Sequence, residues 1–182
     1  MNLDKFHGVV PAMATPFMAD QQVDEARAAE LINWYIAKGV HGISVAGSQG
    51  EFFSLEYDEH VRLLELTVRV VNGRVPIYAG TGAVTTRTAI RLTQAAEAMG
   101  VDLALVITPY FAQPNQDELV THYTAIAKAT KLPVMLYNNP PRTSVNVLPG
   151  TLVRCMKAAD NICGIKDSNG DITQAVEYLL LS

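Results

Sequence analysis

Cysteine is scarce: Cys155 and Cys163 are the only two in 182 residues, and they form no C-x-x-C pair. A disulfide framework is thereby excluded, and a reducing compartment would leave both as small core residues. Long apolar runs are also missing. No stretch reaches the roughly 18 residues of a membrane span, and the opening segment, Met1-Asn2-Leu3-Asp4-Lys5-Phe6-His7, lacks the apolar centre of a signal peptide. Both absences predict a soluble, cytoplasmic protein with no membrane partner. Nor is there a run of like charge: 14 Lys plus Arg stand against 18 Asp plus Glu, a net charge of -4. Nothing would hold a nucleic-acid backbone by charge, which excludes that partner and makes a small molecule the expected ligand. The four histidines, His7, His41, His60 and His122, are scattered, with no partner at metal-ligand spacing. That predicts no metal site and gives them surface or capping roles.

What is present is 49% hydrophobic and 18% charged, enough for one globular domain. Short apolar segments at 9–14, 42–46, 75–79, 103–107, 134–137 and 162–165 alternate with helix-length segments at 24–38, 55–72, 85–99, 116–130, 148–159 and 172–181. Continuous apolar character suits parallel strands buried on both faces. Leu31, Trp34 and Tyr35, then Leu63, Leu66 and Val70, recur at helical spacing, and Met13, Met99, Met135 and Met156 read as core. Asp24, Ser54 and Asn115 are the expected N-caps, with Asn115 to Glu118 resembling a capping box. Ala37-Lys38-Gly39-Val40 recurs as Ala98-Met99-Gly100-Val101, with Gly39 and Gly100 as helix C-caps, and Arg74-Val75-Pro76-Ile77 is echoed by Leu132-Pro133-Val134.

A repeat of about 30 residues per βα unit points to an α/β fold of the TIM (β/α)8-barrel kind, a single domain over residues 1–182. The runner-up, an open doubly wound sheet, usually carries a glycine-rich loop after its first strand, and Ala14-Thr15-Pro16-Phe17 is no such loop. Eight units need about 240 residues or more. About six of the eight units are therefore expected here, in an incomplete barrel that is a piece of a longer protein.

Reacting groups in a β/α barrel stand at the C-terminal ends of strands. The second strand ends in Gly47-Ser48-Gln49-Gly50-Glu51, where two glycines allow a tight turn with backbone N–H groups beside a hydroxyl. Such a turn can hold a carboxylate or phosphate, or it can be a plain βα turn with Ser48 as a local cap. The fifth ends in Tyr137-Asn138-Asn139-Pro140-Pro141-Arg142-Thr143, a phenol at the strand tip and a guanidinium in a proline-stiffened loop. Tyr can pass a proton and Arg can grip a carboxylate; the plain alternatives are a rim aromatic and a solvated charge. The sixth, Ile162-Cys163-Gly164-Ile165-Lys166-Asp167-Ser168, places a lysine at the end of a buried apolar run. Partial desolvation would push such a lysine toward the neutral amine that attacks carbonyls, unless it is a rim lysine paired with Asp167. Gly80-Thr81-Gly82-Ala83-Val84-Thr85 has the placement of a dinucleotide loop, but Thr85 stands where the third glycine belongs. A nucleotide-binding domain is the third reading.

Taken together, the tips G-S-Q-G-E, T-P-Y-F, Y-N-N-P-P-R-T and G-I-K-D-S, in this order and spacing, resemble the dihydrodipicolinate synthase / N-acetylneuraminate lyase family of class I aldolase-type enzymes. The resemblance spans essentially the whole chain. It implies a β/α barrel that uses no metal or organic cofactor and condenses or cleaves a pyruvate unit through a covalent lysine imine. By the same resemblance Lys166 is the Schiff-base lysine, and Tyr137 shuttles protons. Ser48 and the backbone at Gln49 bind the 2-oxo acid carboxylate, and Arg142 holds the second substrate's carboxylate. Tyr110 and Phe111 fall at the subunit interface of a homodimer or homotetramer.

Synthases of the family commonly carry two hydroxyls in the turn and two tyrosines after the fourth strand. Gln49 and Phe111 depart from that pattern, and a phenyl ring cannot carry protons. Three implied activities stay open. One is a synthase joining pyruvate to an aldehyde of the aspartate semialdehyde type. Another is an aldolase releasing pyruvate from a 2-oxo-3-deoxy sugar acid or a 4-hydroxy-2-oxo acid. The last is a catalytically silent member that binds a small acid.

Overall fold

The computed structural model describes residues 3–181; Met1 and Asn2, which open the segment read above for a leader, and Ser182 lie outside the described residues. Two compact units are formed, Met1–Gly80 with Ala95–Ala104, and Thr81–Gln94 with Leu105–Ser182.

The first unit holds α1 (Glu25–Ala37), β1 (Ile43–Val45), a 3-10 turn (Phe52–Ser54), α2 (Tyr57–Val71) and β2 (Ile77–Gly80). α3 (Thr86–Met99) ends in it and β3 (Leu103–Ile107) begins in it. β1 and β2 pair in parallel, with Ile43 opposite Ile77 and Val45 opposite Ala79, all buried. Gly80 ends β2 because a Cβ there would lie 2.0 Å from the Ala46 carbonyl oxygen. The expected first strand is reduced. His41 N–H donates to Val9 O (2.8 Å), Ser44 N–H to Pro11 O (3.0 Å) and Met13 N–H to Ser44 O (2.8 Å), yet among the described residues the only regular bridge along 9–14 is Ala12 with Ser44. Pro11 has no N–H to continue a ladder.

Helix ends follow local chemistry. Asp24 caps α1 by accepting from Arg27 N–H at 3.0 Å, and Gly39 and Gly100 turn the chain at φ +79° and +85°. The buried stripe of α1 is Ala28 and Ile32, while Trp34 is 54% exposed, so the face expected from Leu31, Trp34 and Tyr35 is rotated away from the core. Ser54 does not cap α2: it closes the 3-10 turn, and the helix starts after Glu56, whose N–H is taken by the Glu59 carboxylate at 3.0 Å.

The second unit contains the end of β3, then α4 (Gln116–Lys128), β4 (Val134–Asn138), α5 (Pro140–Thr143), α6 (Pro149–Ala158), β5 (Ile162–Asp167) and α7 (Ile172–Leu181). Thr108 N–H donates to Tyr137 O at 3.1 Å, setting β4 beside β3, and β5 pairs in parallel with β4. Asn115 and Glu118 form the expected capping box on α4. Pro140 and Pro141 start a short helix where a loop was expected, since proline is pre-organised for the first helical turn. Gly82 sits so close to β3 that a Cβ would lie 2.6 Å from Ile107 N, and Thr81 N–H donates to Leu105 O at 3.1 Å. That glycine serves packing. Of the four methionines read as core, Met13 is fully buried and Met99, Met135 and Met156 are half-buried. Cys155 and Cys163 are free thiols, both pushed up to about 11 by burial. Among the described residues, no helix is long and apolar enough to cross a membrane.

Two histidines are buried rather than at the surface. His60 Nε2 bonds Gly80 O at 2.8 Å, and burial lowers its pKa. His122 Nδ1 shares a 2.8 Å hydrogen bond with the Thr86 hydroxyl, its Nε2 is buried without a partner, and burial lowers its pKa to about 4. Protonation would place a charge where nothing accepts the second N–H. The unfolded chain titrates near 6.5, so the stabilisation is complete above that pH and is lost as pH falls from 6.5 toward 4. Urea unfolding across this window should show a loss of about 3 kcal/mol from His122, with His60 acting in the same direction. His122→Gln should flatten the dependence, and an unchanged slope would refute the assignment.

Candidate active site

In the first unit, β1 runs into the turn Gly47 to Glu51. Gly50 N–H donates to Gly47 O (3.0 Å), Glu51 N–H to Ser48 O (3.4 Å), and the Thr15 hydroxyl to Gly50 O (2.6 Å). The left-handed residues are not the glycines: Ala46 has φ +51° and Glu51 φ +52°. Gly50 is favoured on steric grounds, since a Cβ would lie 3.0 Å from Met13 O and force it to shift by a few tenths of an ångström. Non-glycine residues in this conformation are uncommon and cluster at functional turns. Ser48 is half-buried and Gln49 exposed in this turn.

In the second unit, β4 and β5 end side by side, with Tyr137 opposite Lys166 and Asn138 opposite Asp167. Lys166 Nζ lies over the Tyr137 ring, 4.1 Å from its centroid. Tyr137 is 4% exposed, and its hydroxyl oxygen accepts from Asn139 Nδ2 at 2.8 Å, which fixes the phenol. The pairing of Lys166 with Asp167 does not occur: no ion pair among the described residues involves Lys166, and the Asp167 carboxylate accepts from Asn138 Nδ2 at 2.8 Å instead. Neighbouring residues of a strand point to opposite faces. Arg142 stands exposed on α5. Tyr110 is half-buried, its phenol pKa raised by desolvation, and Phe111 is 87% exposed.

A buried amide cluster braces these strand ends and was not singled out from the sequence. Asn138 Nδ2 donates to Asp167 Oδ1, to Asn146 Oδ1 (2.9 Å) and toward the Tyr178 hydroxyl (3.3 Å), while Asn138 Oδ1 accepts from Val147 N–H at 2.9 Å. Gln174 Nε2 donates to Tyr178 Oη and Asn146 Oδ1, each at 2.9 Å, and the Tyr178 hydroxyl donates to Val147 O. The available signal was the pair of amides in Tyr137-Asn138-Asn139-Pro140, polar residues at the end of a buried strand that must find partners. Among the described residues, no group of three or more His, Cys, Asp and Glu could hold a metal.

Parallel strands alternating with helices, and a lysine and a tyrosine matched on adjacent strand ends, define an α/β protein with a strand-end site. The profile of the Dihydrodipicolinate synthetase family matches residues 5–181, and the chain belongs to that family. It is 45% identical over 176 residues to a 4-hydroxy-tetrahydrodipicolinate synthase of Thermodesulfovibrio yellowstonii, covering 97% of this chain and 60% of that protein. Among solved structures, a dihydrodipicolinate synthase superposes with a TM-score of 0.94 at 40% identity, covering 97% of this chain and 61% of that one. The chloride-inhibited synthase of Acinetobacter baumannii, crystallised with pyruvate, gives 0.92 at 42% identity over 96% of this chain and 60% of that one. The chain thus spans about 60% of the length of the curated relatives it matches. The β/α-barrel fold class expected from the repeat holds, with part of the barrel in this chain.

The amide cluster has a measurable consequence. Asn138→Leu keeps the branched heavy-atom skeleton but removes the partners of Val147 N–H and of one Asp167 oxygen. Urea unfolding should show a loss of about 2–4 kcal/mol, and a variant as stable as the parent would show that these bonds contribute nothing.

Proposed function

We propose that this chain carries the imine-forming part of a lysine-dependent carbon–carbon lyase or synthase acting on pyruvate. The observation that carries the reading is Lys166 Nζ at 4.1 Å from the Tyr137 ring, on neighbouring strand ends and, among the described residues, without an ion-pair partner. Family membership and the pyruvate complex of a relative support it. Lys166 adds as the free amine to the pyruvate C2 carbonyl and water leaves, giving a protonated imine. That imine is an electron sink, so a C3 proton is lost to form an enamine, whose C3 attacks an aldehyde carbon. The new alkoxide is protonated, and hydrolysis or attack by a substrate amine frees Lys166. Cleavage to pyruvate is the reverse. Tyr137, held by Asn139, is the proton carrier.

The Ser48–Gln49 turn is assigned the 2-oxo acid carboxylate and Arg142 that of the second substrate. No metal or organic cofactor is needed by this route. We place the protein in the cytoplasm as a homodimer or homotetramer, with Tyr110 and Phe111 at a subunit interface. A phenyl ring 87% exposed supports that last placement, since such a surface favours cover.

Incubation with pyruvate and borohydride should leave one reduced pyruvyl group on Lys166, and Lys166→Ala should abolish it. No adduct, or an adduct that persists in the variant, sinks the reading. Turnover with aspartate semialdehyde would mark the synthase, pyruvate release from hydroxylated 2-oxo acids the aldolase, and an adduct with neither the silent member. The departures at Gln49 and Phe111 favour testing the aldolase substrates in parallel.

A further inference from the structure

We propose that Cys163 and Gly164 form the positioning element of this site, a one-residue bulge in β5 that turns Lys166 onto the face of the sheet occupied by Tyr137. The proposal rests on the reading of Lys166 as the imine-forming lysine.

Pairing between β4 and β5 begins with Val134 opposite Ile162 and resumes with Met135 opposite Gly164, so Cys163 is the extra residue. Beyond it, Leu136 faces Ile165, Tyr137 faces Lys166 and Asn138 faces Asp167. Side chains alternate with a period of two, so one extra residue inverts the face of everything that follows. Unbroken pairing from Val134 and Ile162 would set Ile165 opposite Tyr137 and Lys166 opposite Asn138. The lysine would then enter the amide cluster and the phenol would face an isoleucine. The side chains agree with the slipped register on both faces. Asn138 Nδ2 meets Asp167 Oδ1 at 2.8 Å, and Lys166 Nζ lies 4.1 Å from the Tyr137 ring centroid.

Gly164 is what permits the slip. Its φ is +149°, a conformation L side chains rarely adopt, and a Cβ added there would meet nothing within 4 Å. The requirement for glycine is therefore one of backbone conformation and not of space. Cys163 is tied to the partner strand, its thiol donating to Val134 O at 3.4 Å.

Because the position is open, alanine in its two hand forms isolates the backbone term: equal volume, opposite φ preference. Residues 155–182 can be supplied as a synthetic peptide ligated at Cys155, carrying Gly164 or Gly164→Ala in the L or the D form. Two readouts are taken on chains whose folding is checked by circular dichroism. One is the rate of pyruvate-dependent borohydride trapping on Lys166. The other, which needs no pyruvate, is the ring-current shift of a labelled Lys166 ε-carbon over Tyr137.

The D form should retain both readouts, and the L form should trap about tenfold more slowly with a diminished ring shift. Deleting Cys163, which removes the extra residue, should abolish both. If the L form does not fold, the D form and the deletion decide. Equal readouts in L and D forms, or a deletion that keeps the ring shift, overturn the proposal. An unmodified chain with the ring shift but no trapping overturns the imine reading alone.

Discussion

The pairing of β5 with β4 is the contact that arranges the side chains at the ends of both strands. Two strands lie parallel, and their ends present two matched pairs on opposite faces: Tyr137 with Lys166, and Asn138 with Asp167. One face holds a lysine and a phenol; the other holds a carboxylate bonded to the Asn138 amide. Both pairs hang from the same backbone, so whatever fixes one face fixes the other. The amide side is anchored by Tyr178 and Gln174 of α7, and through it the last helix holds the lysine-bearing strand end in place. A buried polar network of this sort rigidifies the strand end when its members are satisfied.

The first unit solves a different problem, that of bringing backbone close to backbone. β2 ends against β1 at a separation that admits no side chain at Gly80, and the turn after β1 closes over Met13 at Gly50. The left-handed conformation nearby falls on Ala46 and Glu51, where it is less favourable than on glycine. Glycine is thus placed where space is short, and the conformational strain falls on residues with side chains. A turn over-determined in this way keeps its N–H directions fixed.

The layering of strands and helices was legible because buried parallel strands are apolar throughout and are bounded by Gly or Pro. The residues at the strand ends were legible for a related reason: Lys166 closes a run that otherwise has no charge. What stayed hidden depends on partners distant in sequence. Cys163 and Gly164 read as two more residues of an apolar run, since a bulge is defined by the partner strand. Trp34 looked like core by type, yet Ala28 and Ile32 are the residues of α1 that face inward. Ser54 had the right chemistry for a cap, but Glu56 and Glu59 cap the start of the helix two residues later. His60 and His122 carry no mark of burial in their neighbours along the chain; a carbonyl and a threonine hydroxyl brought by other elements made burial tolerable.

The irregularity in β5 also affects the outer edge of that strand. Among the described residues β5 pairs with β4 alone, and α7 beside it leaves Ile172, Leu179 and Leu180 more than three-quarters exposed. Flat, apolar edges recruit further strands and seed fibrils. Here any strand that adds must accommodate the local twist and offset of one residue created at Cys163. An indiscriminate β-segment lacks that offset, whereas a strand shaped for it pairs in a single register.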